Sequence, residues 1–73
     1  MTPPLLISAR EAARLASMHI TTWRTWDAAG RTPQALRIGP RFTRWRLDDI
    51  VAWVEWGMPR RREFEQRRKY ENA

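Results

Sequence analysis

The sequence predicts a small, mostly α-helical domain with a single β-hairpin, in the order helix, helix, hairpin, helix. Three observations support this prediction. Residues 9–16 and 20–30 carry helix-forming and helically spaced apolar residues between clear start and stop signals. Leu36-Arg37-Ile38 and Thr43-Arg44-Trp45-Arg46 alternate in polarity on either side of Gly39-Pro40-Arg41. Residues 47–56 open on an acidic pair and continue with apolar residues at helical spacing.

Each element has its own local logic. Ser8 and Glu11 fit a capping box, in which the serine accepts the third helical N–H and the glutamate reaches back to the serine N–H. Ile7, one residue before the cap, is placed to staple onto Ala12. Ser17-Met18-His19 lacks a helical period and reads as a tight turn with one apolar anchor. In the second helix Trp23 and Trp26 share a face, with Thr21, Arg24, Thr25 and Ala28 on the other side. Gly30 stops this helix, and Pro33 keeps it from resuming. In the hairpin, strand parity with Ile38 and Trp45 inward sends Arg37, Arg44 and Arg46 outward, with Phe42 outward near the tip. In the third helix Asp48 and Asp49 complement the helix dipole, and Leu47, Ile50 and Val54 form the apolar face beside Trp53. Trp56 lies off that stripe and is expected to cap the core edge against Leu5 or Leu6. Two short helices, a hairpin and a third helix describe a winged helix-turn-helix, with the hairpin as the wing.

The 73-residue chain is one domain at most, of a size at which the core is marginal, and its five tryptophans supply large apolar area. Residues 1–57 form the expected folded domain. Residues 58–73 form a charged tail, helical or disordered, with only Phe64 and Tyr70 as large apolar groups. The absence of cysteine excludes a disulfide framework, a thiolate nucleophile and a zinc–cysteine site. One histidine offers no closed metal site, and no nucleophile–base pair or phosphate-cradling glycine loop is present, so an enzyme is not expected and no cofactor or small-molecule substrate is implied. The longest apolar run near the N-terminus, Leu5-Leu6-Ile7, is too short for a signal peptide or a membrane span, so a cytoplasmic protein is expected.

The net charge of +6 is unevenly placed. Residues 30–46 contain five arginines, Arg31, Arg37, Arg41, Arg44 and Arg46, and no acid. Positive charge clustered in this way favours a polyanionic partner.

Two motifs carry a family resemblance. Ser8 to Leu15, S-x-x-E-A-A-x-L, resembles the opening helix of excisionase-type domains in the MerR-like superfamily. Arg37 to Val54, R-I-G-P-R-F-T-R-W-R-L-D-D-I-V-A-W-V, is similar to the AlpA-like phage regulators. These typically show a basic residue, an apolar residue, G-P-R, a W-R pair, and an acidic helix ending in A-W-apolar. With Gly30 and Pro33 the resemblance covers residues 5–56. It implies a winged helix-turn-helix that binds DNA, as a recombination directionality factor (excisionase) or as an activator of integrase genes on mobile elements. It also makes the second helix the recognition helix, with Thr22, Trp23 and Trp26 at core-facing positions. The chain departs from the family where Ser17 replaces a usual glycine, His19 a usual serine, Arg24 a frequent tyrosine and Thr25 a frequent arginine. Arg44 stands where a small residue is common. These departures bear on which DNA sequence is preferred.

The DNA-binding candidates are Thr21, Thr22, Arg24 and Thr25 on the second helix and Arg37, Arg41 and Arg44 on the wing. Arginine can pair both fork donors with guanine, and threonine can meet a thymine methyl or a phosphate. Wing arginines suit phosphates or a narrow minor groove. Arg46, beside Asp48 and Asp49, is expected to form local ion pairs. The expected partners are double-stranded DNA, a tyrosine integrase and neighbouring copies of the chain on DNA, with no membrane. The alternative is a protein-interaction module that docks onto an integrase or another DNA-bound protein. RNA is disfavoured, because the wing offers no exposed aromatic platform beyond Phe42.

Overall fold

A computed structural model describes residues 4–71 and contains four helices and a three-stranded antiparallel sheet. In chain order these are β1 (Leu6–Ile7), α1 (Ala9–Leu15), α2 (Ile20–Ala28), β2 (Leu36–Gly39), β3 (Phe42–Arg46), α3 (Leu47–Glu55) and α4 (Arg61–Glu71). Residues 1–3 and 72–73, at the outer ends of the expected domain and tail, lie outside the described residues. No described helix is long and apolar enough to cross a membrane.

Local chemistry starts and stops the helices. Ser8 Oγ accepts the Glu11 N–H at 3.2 Å, and Ile7 and Ala12 are both buried in the core. The Glu11 carboxylate is bound by Arg14 instead of reaching back to the Ser8 N–H, and that guanidinium holds it below the usual carboxylate range. The first three helices end alike. Met18 N–H donates to Ala13 O (2.8 Å), Arg31 N–H to Trp26 O (2.9 Å) and Met58 N–H to Trp53 O (2.8 Å). The preceding residue donates to a carbonyl one position later, at 3.0–3.1 Å, completing a Schellman motif each time. This motif needs a left-handed residue, supplied by Ser17 (φ 57°), Gly30 (φ 71°) and Gly57 (φ 84°). A glycine at position 17 would adopt this conformation without the steric cost of a Cβ.

Four tryptophans form a chain of edge-to-face contacts through the core. Trp45 meets Trp23 at 5.3 Å between ring centroids, Trp23 meets Trp53 at 5.8 Å, and Trp53 meets Trp26 at 6.4 Å. Each such pair adds about 1 kcal/mol beyond area burial. The Trp45 Nε1–H donates to Pro33 O and the Trp53 Nε1–H to Pro59 O, which ties both flanking loops to the core.

The sheet departs from the expected lone hairpin. β1 pairs with β3, Leu6 opposite Arg46 and Ile7 opposite Trp45, so β3 is the central strand. Its two residues are too few to show a period, and for that reason the sequence does not announce them. The inward placement expected of Ile38 is wrong: it is 64% exposed. Arg37 pairs with Thr43 and Gly39 with Phe42, which leaves Ile38 as the extra residue of a β-bulge. The bulge also separates the hairpin arginines. Arg37 now shares a face with Thr43, and Arg44 shares the opposite face with Leu36.

α3 also turns slightly from its expected setting. Ile50, Ala52 and Trp53 are its buried residues, whereas Val54 is exposed. Residues 58–73, read as a charged tail, include α4, and this helix joins the core through Phe64, which is 2% exposed. Phe64 lies against Trp56 at 5.3 Å, and the Arg67 guanidinium covers the Trp56 ring at 4.2 Å. Trp56 therefore packs on α4, and Leu5, one of the two residues expected against it, is exposed.

Candidate nucleic-acid interface

α2 presents a polar face on a firmly held helix. His19 takes the N-cap position, and its Nδ1 accepts the Thr21 N–H at 3.2 Å. Thr21, Arg24, Thr25 and Ala28 are all exposed, as their spacing predicts. Thr25 Oγ1 donates to Thr21 O at 3.0 Å, so its hydroxyl proton is occupied while its methyl group remains available. Thr22 is exposed and not core-facing. It sits about 100° around the helix from Thr21, on the flank between the polar face and Trp26. Its short polar side chain adds nothing to a core that Trp23 already fills.

The β2–β3 hairpin lies across from this helix. Between them runs a cleft of about 430 Å³ lined by the start of α1, by α2 and by β2–β3. Five arginines border it: Arg10 from α1, Arg24 from α2, and Arg37, Arg41 and Arg44 from the β2–β3 hairpin, Arg37 and Arg44 standing on opposite faces of that hairpin. The single acid on its wall is Asp27, whose Oδ1 accepts from Arg61 Nη2 at 2.8 Å and from Thr32 Oγ1 at 3.1 Å. The floor is aromatic, with Trp23 and Trp45 meeting edge to face. Like charges gathered along a low-dielectric wall focus a positive potential that attracts a polyanion.

Of the seven residues chosen from the sequence, Arg24, Arg37, Arg41 and Arg44 border the cleft. Thr21, Thr22 and Thr25 lie on the exposed part of α2 but do not line it. Arg44 stacks on Phe42 at 4.3 Å and donates to Thr43 O at 2.8 Å, so the wing tip carries a braced guanidinium–aromatic pair. Phe42 points outward as expected, at 43% exposure.

Arg10 was missed. It faces the same cleft only because β1 pairs with β3 and so sets the start of α1 beside the wing. Without β1 there was no sequence signal for that neighbourhood. Arg46 is exposed and does not form the ion pairs expected with Asp48 and Asp49; Asp49 is held by Arg68 at 3.1 Å. Arg31, counted with the basic stretch, lies over the Trp26 ring at 3.9 Å, away from the cleft. Among the described residues, no three His, Asp or Glu side chains gather as a metal site would require.

Comparison with protein-family profiles, curated proteins and solved structures finds no match for this chain.

Proposed function

We propose that the chain binds double-stranded DNA as a winged helix-turn-helix. Thr21, Arg24 and Thr25 of α2 enter the major groove. Arg37, Arg41 and Arg44 of the wing, together with Arg10, grip the flanking backbone or minor groove. The observation that carries this reading is the convergence of five arginines from three separate elements on one cleft. A solvated surface needs no such convergence, and the single acid in the cleft is already paired with Arg61. Arg24 suits bidentate recognition of guanine, and the Thr25 methyl suits thymine.

The resemblance to AlpA-like regulators and excisionases supports a role on a mobile element, as a recombination directionality factor or as a regulator of integrase expression. Competition between duplex DNA, single-stranded DNA and duplex RNA of equal length tests the ligand class. Duplex DNA should displace the others. Equal competition by RNA would instead assign the cleft to generic phosphate binding.

A second reading, docking onto an integrase or another DNA-bound partner, rests on α3. Its exposed residues Asp48, Val51, Val54 and Glu55 are apolar or acidic, and no α3 residue lines the cleft. A protein contact there is compatible with DNA in the cleft.

A further inference from the structure

Among the described residues, the most heavily bonded polar cluster lies behind the cleft. Arg61, the first residue of α4, donates from Nε to Thr32 O at 2.9 Å. From Nη2 it donates to Asp27 O at 3.0 Å and to Asp27 Oδ1 at 2.8 Å. Its backbone N–H donates to Gly30 O at 3.0 Å. The fully buried Thr32 closes the cluster through Oγ1 on Asp27 Oδ1. All these acceptors belong to the last turn of α2 or to the loop that follows it, where a cation is favoured by the free carbonyl groups.

We infer that Arg61 is a positioning residue for the DNA-reading helix: it latches the C-terminal end of α2 to α4 and so sets Arg24 relative to the wing. The inference rests on the DNA-binding reading of the cleft. Asp27 follows Arg24 by three residues and lines the same wall, so what fixes Asp27 also fixes the turn that carries Arg24. Pairing from behind also keeps the only acid of the wall from opposing phosphate. Base readout requires placement to within about 0.5 Å, whereas attraction of phosphates tolerates far more. Loss of the latch should therefore damage sequence discrimination and spare general affinity. A residue that served stability alone would have no such signature.

The test uses the full chain. Duplexes preferred by the wild type are first selected from a randomised library. Arg61→Met and Arg61→Lys are then titrated against a selected duplex and a random-sequence duplex, and amide exchange is measured at Ala29, Gly30 and Arg31. For Arg61→Met, the Kd for the selected duplex should rise about tenfold, the order of one lost base contact. The Kd for random duplex should stay within about twofold, since Arg61 meets no phosphate. Exchange of the three amides should quicken about tenfold as the helix end opens locally. Arg61→Lys should behave like Arg61→Met, because one ammonium cannot span the acceptors that a guanidinium fork holds together. Equal loss on both duplexes, wild-type discrimination in Arg61→Lys, or unchanged exchange in Arg61→Met would each overturn the assignment. If the wild type bound no duplex at all, the DNA reading would fall, and the exchange rates alone would decide whether the latch exists.

Discussion

Trp23 of α2 and Trp45 of β3 meet edge to face, 5.3 Å apart, so the two walls of the arginine cleft share one core contact. The hydrophobic core thus holds the body of α2 against β3, and the Arg61 bonds hold its C-terminal turn.

That contact predicts an asymmetry between two similar substitutions. Trp45→Phe leaves a smaller ring and removes the Nε1 donor to Pro33 O. Trp23→Phe leaves the same gap, but the buried Trp23 Nε1 has no hydrogen-bond partner to lose. Trp45→Phe should therefore be the more destabilising by about 1 kcal/mol, the worth of one hydrogen bond. Urea denaturation of both variants gives the comparison. Equal losses would mean that the Pro33 bond contributes nothing.

Ser17 occupies a left-handed conformation that L-residues adopt at a cost. Ser17→Gly should raise stability by about 0.5–1 kcal/mol, and Ser17→Val should lower it by at least as much. The shift in the denaturant midpoint at constant slope reads both.

His19→Asp separates fold from function. Aspartate is a better N-cap than histidine and complements the helix dipole, so thermal stability should rise by about 0.5–1 kcal/mol. The same carboxylate at the start of α2 should repel phosphate and weaken duplex binding. A variant that is more stable and binds DNA as well as the wild type would place this end of α2 outside the interface.

The C-terminal helix belongs to the fold. Phe64→Ala should cost about 3–4 kcal/mol through loss of burial and the cavity left behind. Truncation after Gly57, which also removes the Arg61 bonds, should leave a chain that is partly unfolded at room temperature, as judged by near-ultraviolet circular dichroism. A truncated chain as stable as the full one would show that α4 merely rests on the surface.

Local signals in the sequence were strong where one residue type decides a local geometry. Ser8 caps α1, Gly30 and Gly57 stop α2 and α3, and Trp23, Trp45 and Trp53 are buried. The exposed face of α2 followed from spacing alone. What stayed hidden depended on pairing between distant segments. The bulge at Ile38 comes from cross-strand register, which strand parity cannot foresee. β1 is too short for a pattern, so Arg10 had no visible neighbours. α4 reads as charged because, among its residues whose burial is described, Phe64 alone enters the core. The polar bonds of Arg61 reach back 29 and 34 positions, to Thr32 and Asp27, and leave no local trace.

The salt dependence of duplex binding tests most directly whether the arginine cleft holds the DNA backbone as proposed. With most of the cleft arginines on phosphates, log Kobs against log salt should have a slope of about −3 to −5 for the wild type. In Arg10→Ala the slope should be shallower by about one, with affinity lost alike on every sequence. Arg24→Ala should instead relax sequence choice. Duplex binding that ignores salt, or a slope that Arg10→Ala leaves unchanged, would contradict the assignment of the cleft to DNA.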